Sequence, residues 1–452
     1  MYPIKWCASS FPIPIISKEL SGQKKFSAVV KRKKILIHSI VFSPDAVSTA
    51  YLYNDIARRF KQEGYEVAVL TTTPHYNKVN HELKKQVLTK HWGGLYYTSD
   101  FEGIPVTHIY QKKSTNVFLR LLGFVYWHIM SFFLGLFERR VSVILSPSPP
   151  LTIGFVNILL GKLKGCKVIY NVQEIYPDIL VDHTNLRSKP IIYILKQLER
   201  FVYNRSSAVT TIDQVFYDTI STRFDQPEKL HIIPNFVDTS LYRPLAKSEI
   251  NLDSTLFPDD NRLKVMYAGN IGHAQDWAPL IEVAKRLLGQ PIVFFVIGEG
   301  VLKEKLEADV EAYDLTNVIV LPYQPRSLMP QLLAYADLQF IFMTKGMDGS
   351  GFPSKVYTIM AASKPLLVAS GAHTPICRFL KDVGCAQLID EHSFAKQVVG
   401  IERFLLQSDK QQFQDMGAKG RLLIEAQYNK DIVTQSYVSL VDTVLHVNNT
   451  AL

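Results

Sequence analysis

The sequence predicts an α/β protein built of two parallel-sheet domains that face a cleft. Three observations carry that prediction. Strand-like runs rich in β-branched residues alternate with amphipathic helical runs from residue 34 almost to the end, the pattern of a parallel sheet covered on both faces. The periodicity breaks over residues 240–262, where Pro, Asp and Ser cluster, and a second α/β series starts after it. Finally, 452 residues suit two or three domains of roughly 100–200 residues each.

Residues 1–33 form an N-terminal extension. Met1 to Ile16 is apolar and broken by prolines, without the helical core or cleavage site of a signal peptide, and the extension runs into Lys31-Arg32-Lys33-Lys34, so a solvated tail is expected. The first domain spans 34–245. KILIHSIVF reads as its first strand, AYLYNDIARRFKQEG as a helix closed by Gly64, and YEVAVLTT as its second strand. IPVTHIY, VSVILS, KVIYNV and AVTTID supply later strands. A linker covers 246–262. The second domain, 263–427, repeats the series with LKVMYAG, PIVFFVIG, NVIVLP, LQFIFM and PLLVAS, and a final helix lies at about 428–447. Ligands of such sheets bind beyond the carboxyl ends of the strands, which places a ligand in the cleft.

Between IPVTHIY and VSVILS lies VFLRLLGFVYWHIMSFFLGLF, residues 117–137, about the roughly 20 residues a spanning helix needs. Arg120 and His128 inside it oppose burial in hydrocarbon, and spanning would put these neighbouring strands on opposite sides of a membrane. Two readings stay open: a helix packed inside the domain, or a helix at its edge that dips into a membrane interface between Lys112–Lys113 and Arg139–Arg140.

Hydrophobic residues at 47% and charged residues at 20% exclude a disordered or fibrous chain. The net charge of +9 favours anionic partners, either phosphate-bearing molecules or a membrane surface. Cys7, Cys166, Cys377 and Cys385 show no metal-ligand spacing, as expected of a reduced, cytoplasmic chain.

Three loops follow strands and open helices, where backbone amides can meet a phosphate. The first holds Ser43, Pro44 and Asp45; the second Gly269, Asn270 and Gly272; the third runs through Ser350, Gly351, Pro353, Ser354 and Lys355. Lys355 falls in the first turn of a helix, where a cation opposes the local dipole unless an anion lies between them. Gly298-Glu299-Gly300 lacks the third glycine of a dinucleotide fingerprint, because Lys303 stands there. A turn near a base or ribose and a plain tight turn both fit it.

In order and spacing these stretches, with PPLTIG, VQEIYPD, HIIPNFVD, YAGNIGHAQ, VIGEG, PYQPRSLMPQLLAYADL and FPSKVYTIMAASKPLLVAS, resemble the GT-B fold glycosyltransferases of family 4. The likeness runs from residue 34 to about 446, and FPSK resembles the branch that builds bacterial surface polysaccharides on lipid carriers. The resemblance implies two Rossmann-like domains, with a nucleotide-diphosphate sugar (uridine or guanosine) in the second, the acceptor in the first, and a last helix crossing back to the first. It implies transfer of a hexosyl or N-acetylhexosaminyl group with retention, without cofactor or metal. The acceptor it implies is a polyprenyl-diphosphate-linked glycan at the inner face of the cytoplasmic membrane, which residues 117–137 are expected to touch. No nucleic acid is expected.

Many members carry two glutamates where this chain has Ser350 and Thr358, and an Arg and a Lys where it has Asn270 and Gln275. The charge for the diphosphate has thus moved to Lys355. The resemblance also places Arg326 near the base or diphosphate, and Tyr323 and Gln324 in the base and ribose region. Glu174 and Asp178, four apart in a strand-end loop, and His75 in TTTPHY are the candidates for sugar binding or general base catalysis. Asn235 and Asp238 read as hinge structure. Two other functions share the fold: a nonhydrolysing nucleotide-sugar 2-epimerase, whose histidine-rich signatures this chain does not display, and a catalytically silent nucleotide-sugar binder.

Overall fold

The structure, a computed structural model, describes residues 33–75, 86–112, 116–183, 187–345, 352–391 and 393–446. Apolar β-rich runs make the strands of a first sheet. They are β1 (Lys34–His38), β2 (Glu66–Thr72), β3 (Thr89–His91), β4 (Tyr96–Phe101), β5 (Ile104–Ile109), β6 (Val141–Pro147), β7 (Lys167–Val172), β8 (Ala208–Thr211) and β9 (Leu230–Ile232). Their order is β3-β4-β5-β2-β1-β6-β7-β8-β9. The second sheet holds β10 (Leu263–Ala268), β11 (Ile292–Ile297), β12 (Val318–Leu321), β13 (Leu338–Phe342), β14 (Leu366–Ala369) and β15 (Ala386–Ile389), in the order β12-β11-β10-β13-β14-β15.

Every residue of β11 and β14 is buried, which is why these strands read as continuous apolar runs rather than alternating ones. In β1 the alternation is instead between two cores. Ile35 and Ile37 pack under helices Ser48–Gln62 and Lys430–His446, while Leu36 packs with Trp127, Ile153 and Leu160 on the opposite face. The order of the second sheet reverses between β10 and β13. Loops leaving these two strands therefore diverge and open a crevice at their carboxyl ends.

One edge departs from the parallel expectation. β3, β4 and β5 are joined antiparallel. Phe101 pairs with Ile104 around Glu102 and Gly103, whose φ values are 54° and 76°. Two positive φ values in a two-residue loop give the turn twist that suits a tight hairpin.

The chain crosses between the domains twice, and the crossings are tied together. Val237 N–H donates to Tyr428 O at 3.0 Å and Lys430 N–H to Val237 O at 2.9 Å, while Lys430 pairs with Asp238 at 2.5 Å. Beyond this point helix Lys430–His446 buries Val433, Tyr437 and Val441 in the first domain's core. Its Tyr437 hydroxyl accepts from Asn171 at 3.0 Å.

Helix Val117–Phe137 is capped by Asn116, whose side chain accepts from the Phe118 and Leu119 amides. By length and composition it could cross a membrane. In this fold it does not, because β5 before it and β6 after it belong to one sheet. It buries Trp127, Ser131 and Gly135; a Cβ at Gly135 would lie 2.7 Å from the Leu160 side chain. Phe118, Leu121, Leu122, Val125 and Ile129 are exposed, so of the two readings the structure has the edge helix, not the buried one.

Candidate active site

The second expected loop and the Gly298-Glu299-Gly300 turn come together at the end of β10. Gly269 N–H donates to Ile297 O at 2.8 Å and Ile271 N–H to Glu299 O at 2.9 Å. A Cβ on Gly298, whose φ is 155°, would lie 1.8 Å from Gly269 O, and one on Gly300 2.2 Å from Ile271 O. Both glycines thus serve backbone-to-backbone packing of two turns. Glu299 is exposed and accepts from Lys303 at 2.8 Å and from the Tyr323 amide at 3.4 Å, which brings Tyr323 and Gln324 beside the same turn. These contacts hold its carboxyl below the usual range.

Lys355 reaches this place from the first position of helix Lys355–Ala361. Its Nζ donates to Ala268 O at 3.0 Å and lies 3.7 Å from the centre of the Tyr267 ring. The Tyr267 hydroxyl donates to Asn270 O at 2.8 Å, which fixes the ring beneath the turn. Gly269 makes room: its φ is 151°, and a Cβ there would stand 2.4 Å from the Lys355 Nζ. Burial pulls the Lys355 ammonium down to about 7. A cation–π contact and one carbonyl compensate the charge only in part.

Pro353, Ser354 and Thr358 share the lysine's helix start, and Asn270 and Gly272 lie in the turn that follows β10. Pro353 O and Ser354 O accept from the Val356 and Tyr357 amides and start the helix, and the Thr358 hydroxyl donates to Lys355 O at 2.8 Å. The Asn270 side chain folds over Gly272, where a Cβ would be 2.8 Å from Nδ2. Gln275 bridges to Met343 just past β13, across the sheet's reversal point, and its buried Oε1 meets no donor among the described residues. Ser350 and Gly351 lie outside the described residues. Arg326, expected near the base or diphosphate, has its guanidinium carbon 3.4 Å over the ring of Tyr51, in helix Ser48–Gln62 of the first domain. It thus makes a contact across the cleft.

On the first domain's side, Asp45 is buried and accepts from the His75 amide at 3.1 Å. His75 Nδ1 lies 2.9 Å from Thr73 O and 3.1 Å from Thr72 Oγ1, whose own proton goes to Ile40 O. Both neighbours accept, which assigns the proton to Nδ1 and leaves the lone pair of the neutral ring on Nε2. Ser43 donates from Oγ to Gln86 at 2.6 Å and from its amide to Asn54 at 3.1 Å. With Pro44 and Asp45 it lines a cavity shared with Tyr51 and Arg58. Of the two carboxylates in VQEIYPD, Asp178 is ion-paired with Arg223, which also faces buried Glu199 at 3.3 Å. The loop bearing Glu174 is held by Ser148, whose Oγ accepts from the Gln173 amide at 3.1 Å.

Tyr267, Tyr51 and Arg223 escaped sequence reasoning. Each lies in an unremarkable strand or helix run, and only the three-dimensional fold brings it to Lys355, Arg326 or Asp178. Phe352, Tyr357, Phe379 and Tyr428 also form an aromatic cluster, with ring centres 4.9–5.7 Å apart, that anchors the FPSK loop to the second crossing between domains.

Two family descriptions match in tandem. Glycosyltransferase Family 4 matches residues 51–241 and Glycosyl transferases group 1 matches residues 249–422. The chain is 24% identical over 82% of its length to WcaI of Escherichia coli K12, a protein named for glycosyl transfer in colanic acid biosynthesis, of which 92% is covered. It is 22% identical over 68% of its length to WbjE of Pseudomonas aeruginosa, named as a glycosyltransferase, of which 76% is covered. In fold it is similar to Anabaena HepE in complex with UDP-glucose, with a TM-score of 0.65 at 14% identity over 91% of this chain and 99% of that one. WaaG, a glycosyltransferase involved in lipopolysaccharide biosynthesis, gives 0.61 at 15% identity over 91% and 99%.

Proposed function

We propose that the chain, which belongs to the GT-B glycosyltransferases of family 4, serves bacterial polysaccharide biosynthesis and moves one sugar, with retention, from a nucleotide-diphosphate sugar to a polyprenyl-diphosphate-linked glycan. The observation that carries this is Lys355, a half-buried amine held over Tyr267 and against the Gly269 turn. An amine so placed is fully charged above pH 7 only with an anion beside it, and a diphosphate leaving group is that anion. Phosphate oxygens are assigned to Lys355 and to the amides of Asn270 and Gly272, with Gln275 and Thr358 nearby. Glu299, Tyr323 and Gln324 flank the nucleoside.

The transition state separates a sugar centre of oxocarbenium character from a departing diphosphate, and Lys355 acts on the second of these. No metal is needed for that task, and none is proposed. His75 is the better-formed general base of the three acceptor-side candidates, because its hydrogen bonds direct the lone pair to Nε2, whereas Asp178 is held by Arg223. Ser43, Pro44 and Asp45 contact the acceptor. The exposed apolar face of helix Val117–Phe137 lies on the cytoplasmic face of the membrane and brings the cleft to a lipid-linked substrate.

Purified protein supplied with UDP- or GDP-sugars and a lipid-linked acceptor tests the proposal by product mass and anomeric configuration. Transfer with retention supports it. Release of an epimerised sugar nucleotide without acceptor would place the chain with the 2-epimerases, and donor binding without turnover would make it a silent binder.

A further inference from the structure

Arg421 lies in helix Lys410–Gln427 with its side chain 16% exposed. One terminal nitrogen donates to Tyr242 O at 2.7 Å and to Ala361 O at 2.5 Å; the other donates to Thr239 O at 3.1 Å. Nε and that second nitrogen also reach Glu425 Oε1, each at 2.6 Å. Four of the five guanidinium protons are thus in hydrogen bonds, and the ion pair with Glu425 lies beside the fifth. Three of the acceptors are backbone carbonyls, which a side-chain exchange elsewhere would not remove.

The places these carbonyls occupy give the contact its meaning. Thr239 and Tyr242 belong to the first crossing between the domains, next to the Asp238–Lys430 pair. Ala361 is the last residue of the helix that begins at Lys355. Six residues of helix at about 1.5 Å each put the clamp roughly 9 Å from the lysine along a rigid rod. Helix Lys410–Gln427 also touches the turn after that rod: a Cβ at Gly417 would lie 2.0 Å from Ser363 O, and one at Gly420 3.3 Å from the Met360 side chain. The same helix runs on through Tyr428 and Asn429 into the second crossing.

We propose that Arg421 is a positioning residue that ties helix Lys355–Ala361 to the Thr239–Tyr242 crossing, so that Lys355 is set against the Gly269 turn by the geometry of the hinge. This rests on Lys355 being the donor-site cation. Movement of one domain against the other is then transmitted to Lys355 through the guanidinium and the short helix, which couples closure of the cleft to formation of the donor site.

A double-mutant cycle separates this role from a merely structural one. Affinity for UDP, GDP and UDP-glucose is measured by calorimetry on the full chain, for wild type, Lys355→Met, Arg421→Met and the double variant, with thermal unfolding of each. Arg421→Met is expected to weaken binding about tenfold in the wild-type background and not at all in the Lys355→Met background, because its effect passes through the lysine. Arg421→Lys, which keeps the charge but not the five-donor fork, is expected to recover some of the loss, and it carries the cycle if the methionine variant does not fold. Equal losses in the two backgrounds, or no loss in the first while Lys355→Met loses affinity, would overturn the proposal and leave the donor site standing. If wild type binds none of the three probes, or Lys355→Met binds as wild type does, the donor-site assignment itself fails.

Discussion

Burial holds the Lys355 ammonium at about 7 in the free protein, and a diphosphate beside it restores the charged form. Donor binding should therefore take up a proton. With a free-state value of about 7, roughly nine-tenths of the lysine is charged at pH 6, about half at pH 7 and about a tenth at pH 8. Uptake on binding is then about 0.1, 0.5 and 0.9 protons at the three values. Affinity should fall about tenfold, or about 1.4 kcal/mol, between pH 6 and pH 8, since at the higher pH binding must first charge the lysine. A sugar nucleotide is the right probe because its diphosphate is esterified at both ends and has no titration of its own in this range. Calorimetry with UDP-glucose in buffers of different ionisation enthalpy reads the uptake as a slope, and Lys355→Met should abolish both slope and pH dependence. The sign for stability follows from the same depressed value. Below it the folded state carries a poorly compensated charge, and as pH rises through it the unfolded chain holds the extra proton and stability is gained. Lys355→Met should thus raise the melting temperature of the free protein most at pH 6. Heat and affinity that do not change with buffer or pH, in a wild type that binds donor, would refute the argument.

The remaining predictions concern other regions of the fold. Gly298→Ala should lower stability by about 2–4 kcal/mol, because its Cβ would collide with Gly269 O in a left-handed backbone conformation; chemical denaturation measures it. Gly269→Ala meets the side-chain end of Lys355 and, at contact distance, the Tyr267 hydroxyl rather than backbone, so at similar φ strain it should cost less stability than Gly298→Ala but more donor affinity. Arg326→Ala removes the stacking on Tyr51, a contact of about 1–2 kcal/mol, and should widen the cleft as seen by small-angle scattering and weaken nucleotide binding through the same coupling of closure to the donor site. Replacing Phe118, Leu121, Leu122 and Val125 by serine removes about 1.5–3 kcal/mol of lipid burial per side chain, so co-sedimentation with anionic vesicles should be lost. Neutralising Lys112, Arg139 and Arg140 should weaken it by about 1 kcal/mol each.

The architecture was legible because it rests on periodicity. The continuous apolar runs of β11 and β14 and the linker break leave marks at the level of residue type, whereas the return of Lys430–His446 to the first domain is implied by the family resemblance. The antiparallel edge was less legible, because Glu102-Gly103 is a turn signal only once its neighbours are known to pair. At the proposed donor site the sequence marks the Gly269 turn and Lys355, which the fold brings together, since glycines beside strand ends and a cation opposing a helix dipole are local oddities. It could not reveal that Tyr267 lies under the lysine or that Arg326 is used on Tyr51, because an aromatic in a buried strand and an arginine after a proline carry no sign of their distant partners.

The exchange of charged groups at this site has a consequence of its own. Two fixed cations and two carboxylates, as in many relatives, would hold the site's charge constant through physiological pH. Asn270, Gln275 and Thr358 carry none, so under the proposed assignment compensation of the diphosphate falls on one amine whose charge depends on burial and on the ligand. The lysine of such a site is about half charged when empty at pH 7 and fully charged when filled, so an empty site attracts anions less than a fixed cation would. Its strength depends instead on how tightly Lys355 is enclosed, and that enclosure comes from Tyr267 below, the Gly269 turn beside it and the helix held through Ala361. Donor recognition here is therefore as much a property of packing as of charge, and substitutions that loosen the enclosure should raise the lysine's pKa while lowering its grip on the donor.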